Sequence, residues 1–245
     1  MTSFQQIKPK MHPIIPLKMV QLSTYGMSPF SCVGFVHFGQ LLGSMGYIPD
    51  GYRYARIGRE LFDRIGTKEV AGEVIAISTQ MMCFIEPLQA TVESHLQGQT
   101  LALAAGDTIG ELMNTILYNC TLIYSGTKLQ VCKEQFDRTL RLVDKHGLLH
   151  IRMTISEMGK WFVALMGLTD GDMFNGTDFN AAQTQDIMKS ITHVSLVFSF
   201  QNMYVSFMIR SYEETRAFAE GYFYALAKHD PWYLYYFHTV HSFCK

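Results

Sequence analysis

Residues 26–66 read GMSPFSCVGFVHFGQLLGSMGYIPDGYRYARIGRELFDRIG, and the two halves of this stretch have different chemistry. From Ser28 to Gly46 there is no Lys, Arg, Asp or Glu. From Tyr52 to Ile65, Arg53, Arg56, Arg59, Glu60, Asp63 and Arg64 share one side of a 3.6-residue period, and Tyr52, Ala55, Gly58, Leu61, Phe62 and Ile65 share the other. The pattern predicts an almost uncharged helix buried on most sides, followed by an amphipathic helix that covers it. Glycine, the usual residue just past a helix end, closes each half.

The same punctuation recurs along the chain. Gly26, Gly66 and Gly106 are 40 residues apart and Gly147 follows 41 later; Gly46, Gly126 and Gly167 form a second series, with Glu86-Pro87 in the slot near 86. Two interleaved series of stops predict two helices per unit. Start signals fall between them: Ser28-Pro29 as N-cap and first helical proline, the same placement at Glu86-Pro87 and Asp230-Pro231, Thr67 before Lys68-Glu69, and capping boxes at Thr108–Glu111 and Ser211–Glu214. First helices are thus expected to start near 29, 68, 108, 148, 191 and 231, with 169–178 as a polar, glycine-rich insertion loop. The first helices, near 30–45, 70–84, 110–124 and 191–209, are nearly uncharged. In 131–145, Glu134–Arg138 and Asp137–Arg141 have favourable i,i+4 spacing, while Phe136, Leu140 and Val143 face inward. No stretch alternates as a strand does.

A two-helix unit of this length cannot bury its own apolar face, so it stacks on its neighbours. The expected fold is all-α: a right-handed superhelical solenoid of about five antiparallel hairpins. Residues 1–28 are expected to end a preceding repeat, Ile14–Val20 being its second helix, and residues 29–245 to form the array, its last unit incomplete. Both ends lack polar capping helices, so the chain is expected to be cut from, or to dock against, a longer array, or to self-associate through its ends.

Composition excludes several classes. Hydrophobic residues make up 48% of the 245 positions, too many for a disordered chain, and a net charge of −1 leaves no basic face for phosphates or an anionic membrane surface. Five cysteines without a CxxC pair read as reduced, mostly buried thiols, which places the protein in the cytoplasm. The N-terminus lacks a signal-peptide core. Neither apolar stretch reads as a membrane span: Met19–Pro49 is broken at Tyr25–Pro29, and Ser190–Ile209 carries His193, Gln201, Asn202 and serines.

Residues able to do chemistry are present but do not converge. His238 and His241, with His229 and Cys244 nearby, fall short of a zinc set. Asp170, Asp172 and Asp178 lack the DxDxDG order and the closing glutamate of a calcium loop. His146 suits a helix C-terminus, and neither it nor His150 has a catalytic partner in view. Ser28, Ser31 and Ser125 have no nucleophile-elbow context. Met81-Met82-Cys83, Tyr118 and Trp161 read as packing residues. The expectation is therefore no catalytic residue, no metal and no cofactor. Gln40, Gln80 and Cys120 occupy equivalent places 40 apart on successive first helices. A row of this kind on an inner, concave surface is the candidate partner-binding site, for a peptide or partner helix.

Gly39, Gly46, Gly51 and Gly58, at intervals of seven, five and seven, have tetratricopeptide-like spacing. The run Gly26–Gly46, then Gly51-Tyr-Arg-Tyr-Ala55 and Lys68-Glu69, continued by Leu103–Asp107 and Tyr124-Ser-Gly126, resembles the helical-repeat region of large signalling ATPases. In that family the repeats follow a P-loop module of the STAND or origin-recognition-like AAA type. They often precede GAF, histidine-kinase or cyclase modules, sometimes with a Ser/Thr kinase at the N-terminus. The likeness spans roughly residues 14–243. It implies a non-catalytic interaction and regulatory segment of an intracellular signal-transduction ATPase or kinase-associated protein. The alternatives are a free-standing adaptor that holds a peptide or partner helix in its groove, and an all-helical small-molecule sensor. ATPase activity does not carry over, because there is no GxxxxGK[ST]: Gly66-Thr-Lys68 and Gly126-Thr-Lys128 lack the upstream glycine and the closing Ser/Thr.

Overall fold

Helix is the only regular structure among the described residues, which in this computed structural model are 13–147, 152, 155, 159, 165–167 and 192–228. The helices are α1 (Ile14–Ser23), α2 (Ser31–Ser44), α3 (Ile48–Ile65), α4 (Lys68–Met82), α5 (Leu88–Ala105), α6 (Thr108–Tyr124), α7 (Leu129–His146), α8 (Thr192–Met208) and α9 (Tyr212–Lys228). They fall in two compact units, α1–α6 in the first and α7–α9 in the second.

Burial in the first unit alternates from helix to helix. Eleven of the fourteen residues of α2 and ten of the fifteen of α4 are buried. In α3 only Gly51, Ala55 and Gly58 are buried, and in α5 only Thr91, His95, Gly98 and Ala102. The four- and three-residue steps between these positions mark a single contact stripe. Consecutive helices pack on one another from α1 to α6, and alternate helices also touch in order, α2 on α4 and α4 on α6. Cys32, Val33 and Val36 of α2 form a core with Val70, Val74 and Ile77 of α4, flanked by Met19, Leu61, Phe62 and Met113. In the second unit α8 packs on α9. Phe136 and Val143 of α7, Phe200 and Val205 of α8 and Tyr222 of α9 are buried there, together with Ile155.

Helix ends account for most differences from the sequence expectation. Gly46, Gly106, Gly126, Gly147 and Gly167 take the left-handed conformation, and Arg210 joins them as the non-glycine residue with positive φ, at 65°. After α2, Tyr47 N donates to Leu42 O and Gly46 N to Gly43 O; after α5, Asp107 N donates to Ala102 O and Gly106 N to Leu103 O. After α8 the same pair runs from Ser211 N to Ser206 O and from Arg210 N to Phe207 O. These are three copies of one closing motif, and Arg210 stands where the others have glycine. Gly66 does not belong to the series: its backbone is extended, with φ −65° and ψ 154°. A Cβ there would collide with the ring and carbonyl of Phe62, so close approach explains this glycine. Gly26 is not left-handed either.

The starts near 68, 108 and 191 match helices beginning at Lys68, Thr108 and Thr192, and the expected start at 29 moves to Ser31. Ser28 and Pro29 lie in the turn before α2, where Ser28 N donates to Ser31 Oγ and Ser31 N to Ser28 O. The expected box at Thr108–Glu111 is replaced by Asp107, whose Oδ1 accepts from Gly110 N at 2.9 Å. Thr67 does occupy the N-cap of α4, and its side-chain hydrogen bond to Glu69 lowers that carboxyl below its ordinary value. Pro87 sits at the cap of α5, one residue outside it. Helix α3 starts at Ile48 with Pro49 in its first turn, four residues before the expected Tyr52, and Ile65 on its expected inner face is 38% exposed. On α7, Asp137 pairs with Lys133 at 2.8 Å and Glu134 accepts from Gln130, in place of the arginine pairs.

Candidate functional site

The row Gln40, Gln80 and Cys120 lies on α2, α4 and α6, the three helices that touch in succession. Gln40 is buried, with its Oε1 3.2 Å from His37 Nδ1 on its own helix. Gln80 and Cys120 are half-buried. Burial pushes the Cys120 thiol up to about 12. Cys83, 3.3 Å from Thr91 Oγ1, is pushed up to about 11, and burial also raises Cys32 and Cys132. A thiol held above the ordinary range is a poor nucleophile at neutral pH, so none of these cysteines is suited to nucleophilic chemistry. Met81 is buried beside Ala55 and Phe84.

The polar chemistry of the first unit lies between helices, at two nodes that residue patterns alone did not reveal. At the first, the His37 ring is 0% exposed, and its Nε2 lies 2.9 Å from Glu73 Oε1 on α4. Burial acts to raise the Glu73 carboxyl; hydrogen bonding and charge, those of His37 first among them, act to lower it, and the balance lies below the ordinary carboxylate value. Both ring nitrogens of His37 are engaged, which leaves neither available to move a proton for a substrate.

At the second node, Asn114 of α6 is fully buried and its Nδ2 donates to Gly72 O on α4 and to Gly110 O, each at 2.8 Å. Those two carbonyls fix the amide orientation, so Oδ1 is the atom that faces His95 Nδ1 of α5, at 3.5 Å. Glycine allows this convergence. A Cβ on Gly72 would lie 2.9 Å from Gly110 Cα and from Ala102 Cβ, and one on Gly98 would collide with the Asn114 amide. Two further contacts run outside the nodes: Arg59 Nη2 donates to Gln97 Oε1 at 2.7 Å, and Tyr52 OH to Glu86 Oε1 at 2.8 Å.

Their separations were the available signal. The side-chain hydrogen bonds Tyr52–Glu86, His37–Glu73, Gln89–Ser125 O, Arg59–Gln97 and Asn114–Gly72 O span 34, 36, 36, 38 and 42 residues. Each is close to the 40-residue glycine period, so a polar residue with a complementary partner one period away was a candidate bridge.

Among the described residues no group of three or more His, Cys, Asp or Glu could hold a metal ion, and no helix is long and apolar enough to cross a membrane. His229, His238, His241, Cys244, Asp170, Asp172, Asp178, His150 and Trp161 lie outside the described residues, as does the expected start at 148. No protein-family model, no curated protein and no solved structure matches the chain.

Proposed function

We propose that the chain is a non-catalytic helical-repeat array, tetratricopeptide-like and right-handed, that carries a partner or regulatory signal for a signal-transduction assembly. The observation that supports it most is the set of side-chain bridges separated by one repeat length. Contacts that recur between neighbouring units at roughly one repeat length are what a quasi-one-dimensional stack requires. The succession of α2, α4 and α6, each touching the next, supports the same reading. In such a stack, what is bound to one unit alters the packing available to the next.

Within this reading, Gln80 and Cys120 are the accessible members of the partner-binding row, and Gln40 positions His37. A peptide or amphipathic helix is the ligand class suited to such a row. The decisive experiment is to pan a displayed peptide library against the full chain and to assay selected binders on Gln80→Lys and Cys120→Lys. Binders whose Kd rises tenfold or more on either variant support the assignment. Failure to select any binder, or binders indifferent to both changes, counts against the row. Genuine ATP turnover by the purified chain would overturn the non-catalytic reading.

A further inference from the structure

The two polar nodes of the first unit have opposite electrostatic settings. His37 faces a carboxylate, Glu73, across the α2–α4 contact. His95, 1% exposed, faces the neutral Asn114 amide across the α5–α6 contact, and that amide is held by the Gly72 and Gly110 carbonyls. The charge that acts on the His95 ring is the Arg59 guanidinium of α3, of the same sign as an imidazolium. On α4, Glu73 is turned to His37; on α6, buried Glu111 lies one turn before Asn114; on α5 itself, Glu93 is exposed. The helices are closely packed around Asn114: a Cβ on Gly98 would collide with its amide, and one on Gly72 would lie 2.9 Å from Ala102 Cβ and from Gly110 Cα.

We propose that His95 is the release point of an acid-sensitive latch: protonating it opens the α4–α5–α6 crossing while the α2–α4 crossing stays closed. A charged His95 would sit buried beside Arg59 with a neutral amide and no counter-charge facing it, and the arrangement that relieves it is separation of α5 from α6 with entry of water. At the α2–α4 crossing, by contrast, the His37 ring faces a carboxylate, with Nε2 2.9 Å from Glu73 Oε1. Burial pushes His95 down, the Asn114 hydrogen bond pulls it back, Arg59 pushes it down further, and the result is about 4 against an ordinary 6.5. Because the closed form binds the proton less readily than the open form, closure is favoured above pH 6.5 and weakens as pH falls toward 4. The closing equilibrium constant loses up to roughly tenfold per pH unit in that window.

The test is hydrogen–deuterium exchange on the full chain at several pH values through this window, corrected for intrinsic rates. Peptides from α5 and α6 are expected to lose protection stepwise with acid while those from α2 and α3 keep theirs, and His95→Gln is expected to flatten the α5–α6 response. Equal loss across α2 to α6, or an unchanged response in His95→Gln, would overturn the latch. Should that variant not fold, ring-labelled NMR of the wild-type chain decides. A His95 resonance still neutral below pH 5 supports the latch, and one that titrates near 6.5 or above removes it.

Discussion

The α2–α3 and α8–α9 hairpins join consecutive helices by opposite means. In α2–α3 the seam is glycine: a Cβ on Gly39 would lie 2.5 Å from Gly51 O and 2.8 Å from Ala55 N, and one on Gly58 would lie 2.9 Å from Cys32 O. Tyr54 stacks on Phe35 and meets Phe38 edge-on, a second contact between the same two helices. In α8–α9 rings make the contact: Phe198 meets Phe218 edge-on at 6.2 Å and Phe200 lies 6.0 Å from Tyr222. Both first helices are free of Lys, Arg, Asp and Glu, so the absence of charge alone does not distinguish the two. The glycine seam gains from close packing of backbone and forbids added volume. The ring seam gains from apolar area and is damaged by its removal.

The largest effect is expected from deleting a ring. Phe200, 5% exposed, fills the contact between Tyr204 and Tyr222, and Phe200→Ala should cost about 3–5 kcal/mol through lost area and the cavity left behind. Urea unfolding of the full chain measures this. A loss under about 1 kcal/mol would mean that the rings fill space without holding the hairpin together.

Adding one methyl to the glycine seam comes next. Gly39→Ala places Cβ against backbone atoms that cannot swing aside, so it should cost about 2–3 kcal/mol despite the better helix propensity of alanine. Gly43→Ala is a graded control, since its Cβ would meet the flexible end of Met81, and it should cost clearly less. If the two changes cost the same, the backbone contact at Gly39 is not the reason for its intolerance.

How much of this was legible in the sequence follows the range of each interaction. Helix starts at Lys68 and Thr108 were readable because caps act over three or four residues, although the cap proved to be Asp107 instead of Thr108. The buried character of α2 was readable from absent charge, whereas α4 is buried although it carries Lys68, Glu69 and Glu73. The start of α3 was hidden because Gly51 resembles a turn residue, whereas it serves close packing against Gly39. The nodes were hidden because His37 and Glu73, or Gly72 and Asn114, meet only through the register of two helices 36 and 42 residues apart. Gln40 was readable as a member of a row, but its orientation onto His37 was not.

Arg210 was missed because a glycine search finds only glycine, yet it completes the same closing motif as Gly46 and Gly106. Left-handed backbone costs a residue with a Cβ about 1–2 kcal/mol, while glycine adds unfolded-state entropy, so Arg210→Gly should stabilise the chain by about 1 kcal/mol. The gain should appear as a higher urea midpoint at unchanged slope. No gain would mean that the arginine side chain, exposed as it is, makes up the backbone cost through contacts of its own.

The smallest expected change bears most directly on the contrast between the seams. Gly221 lies in α9, next to Tyr222, and a Cβ built on it would meet nothing within 4 Å. A helical glycine in open space contributes no contact and only raises the entropy lost on folding, so Gly221→Ala should stabilise by about 0.5–1 kcal/mol. The identical substitution at Gly39 should act with the opposite sign. The pair isolates the seam because chemistry and helix propensity are held constant, and only what lies within reach of the new methyl differs. Opposite signs would assign the role of glycine in α2–α3 to packing. A shared sign would reduce both glycines to backbone propensity and remove the physical distinction between the two hairpins.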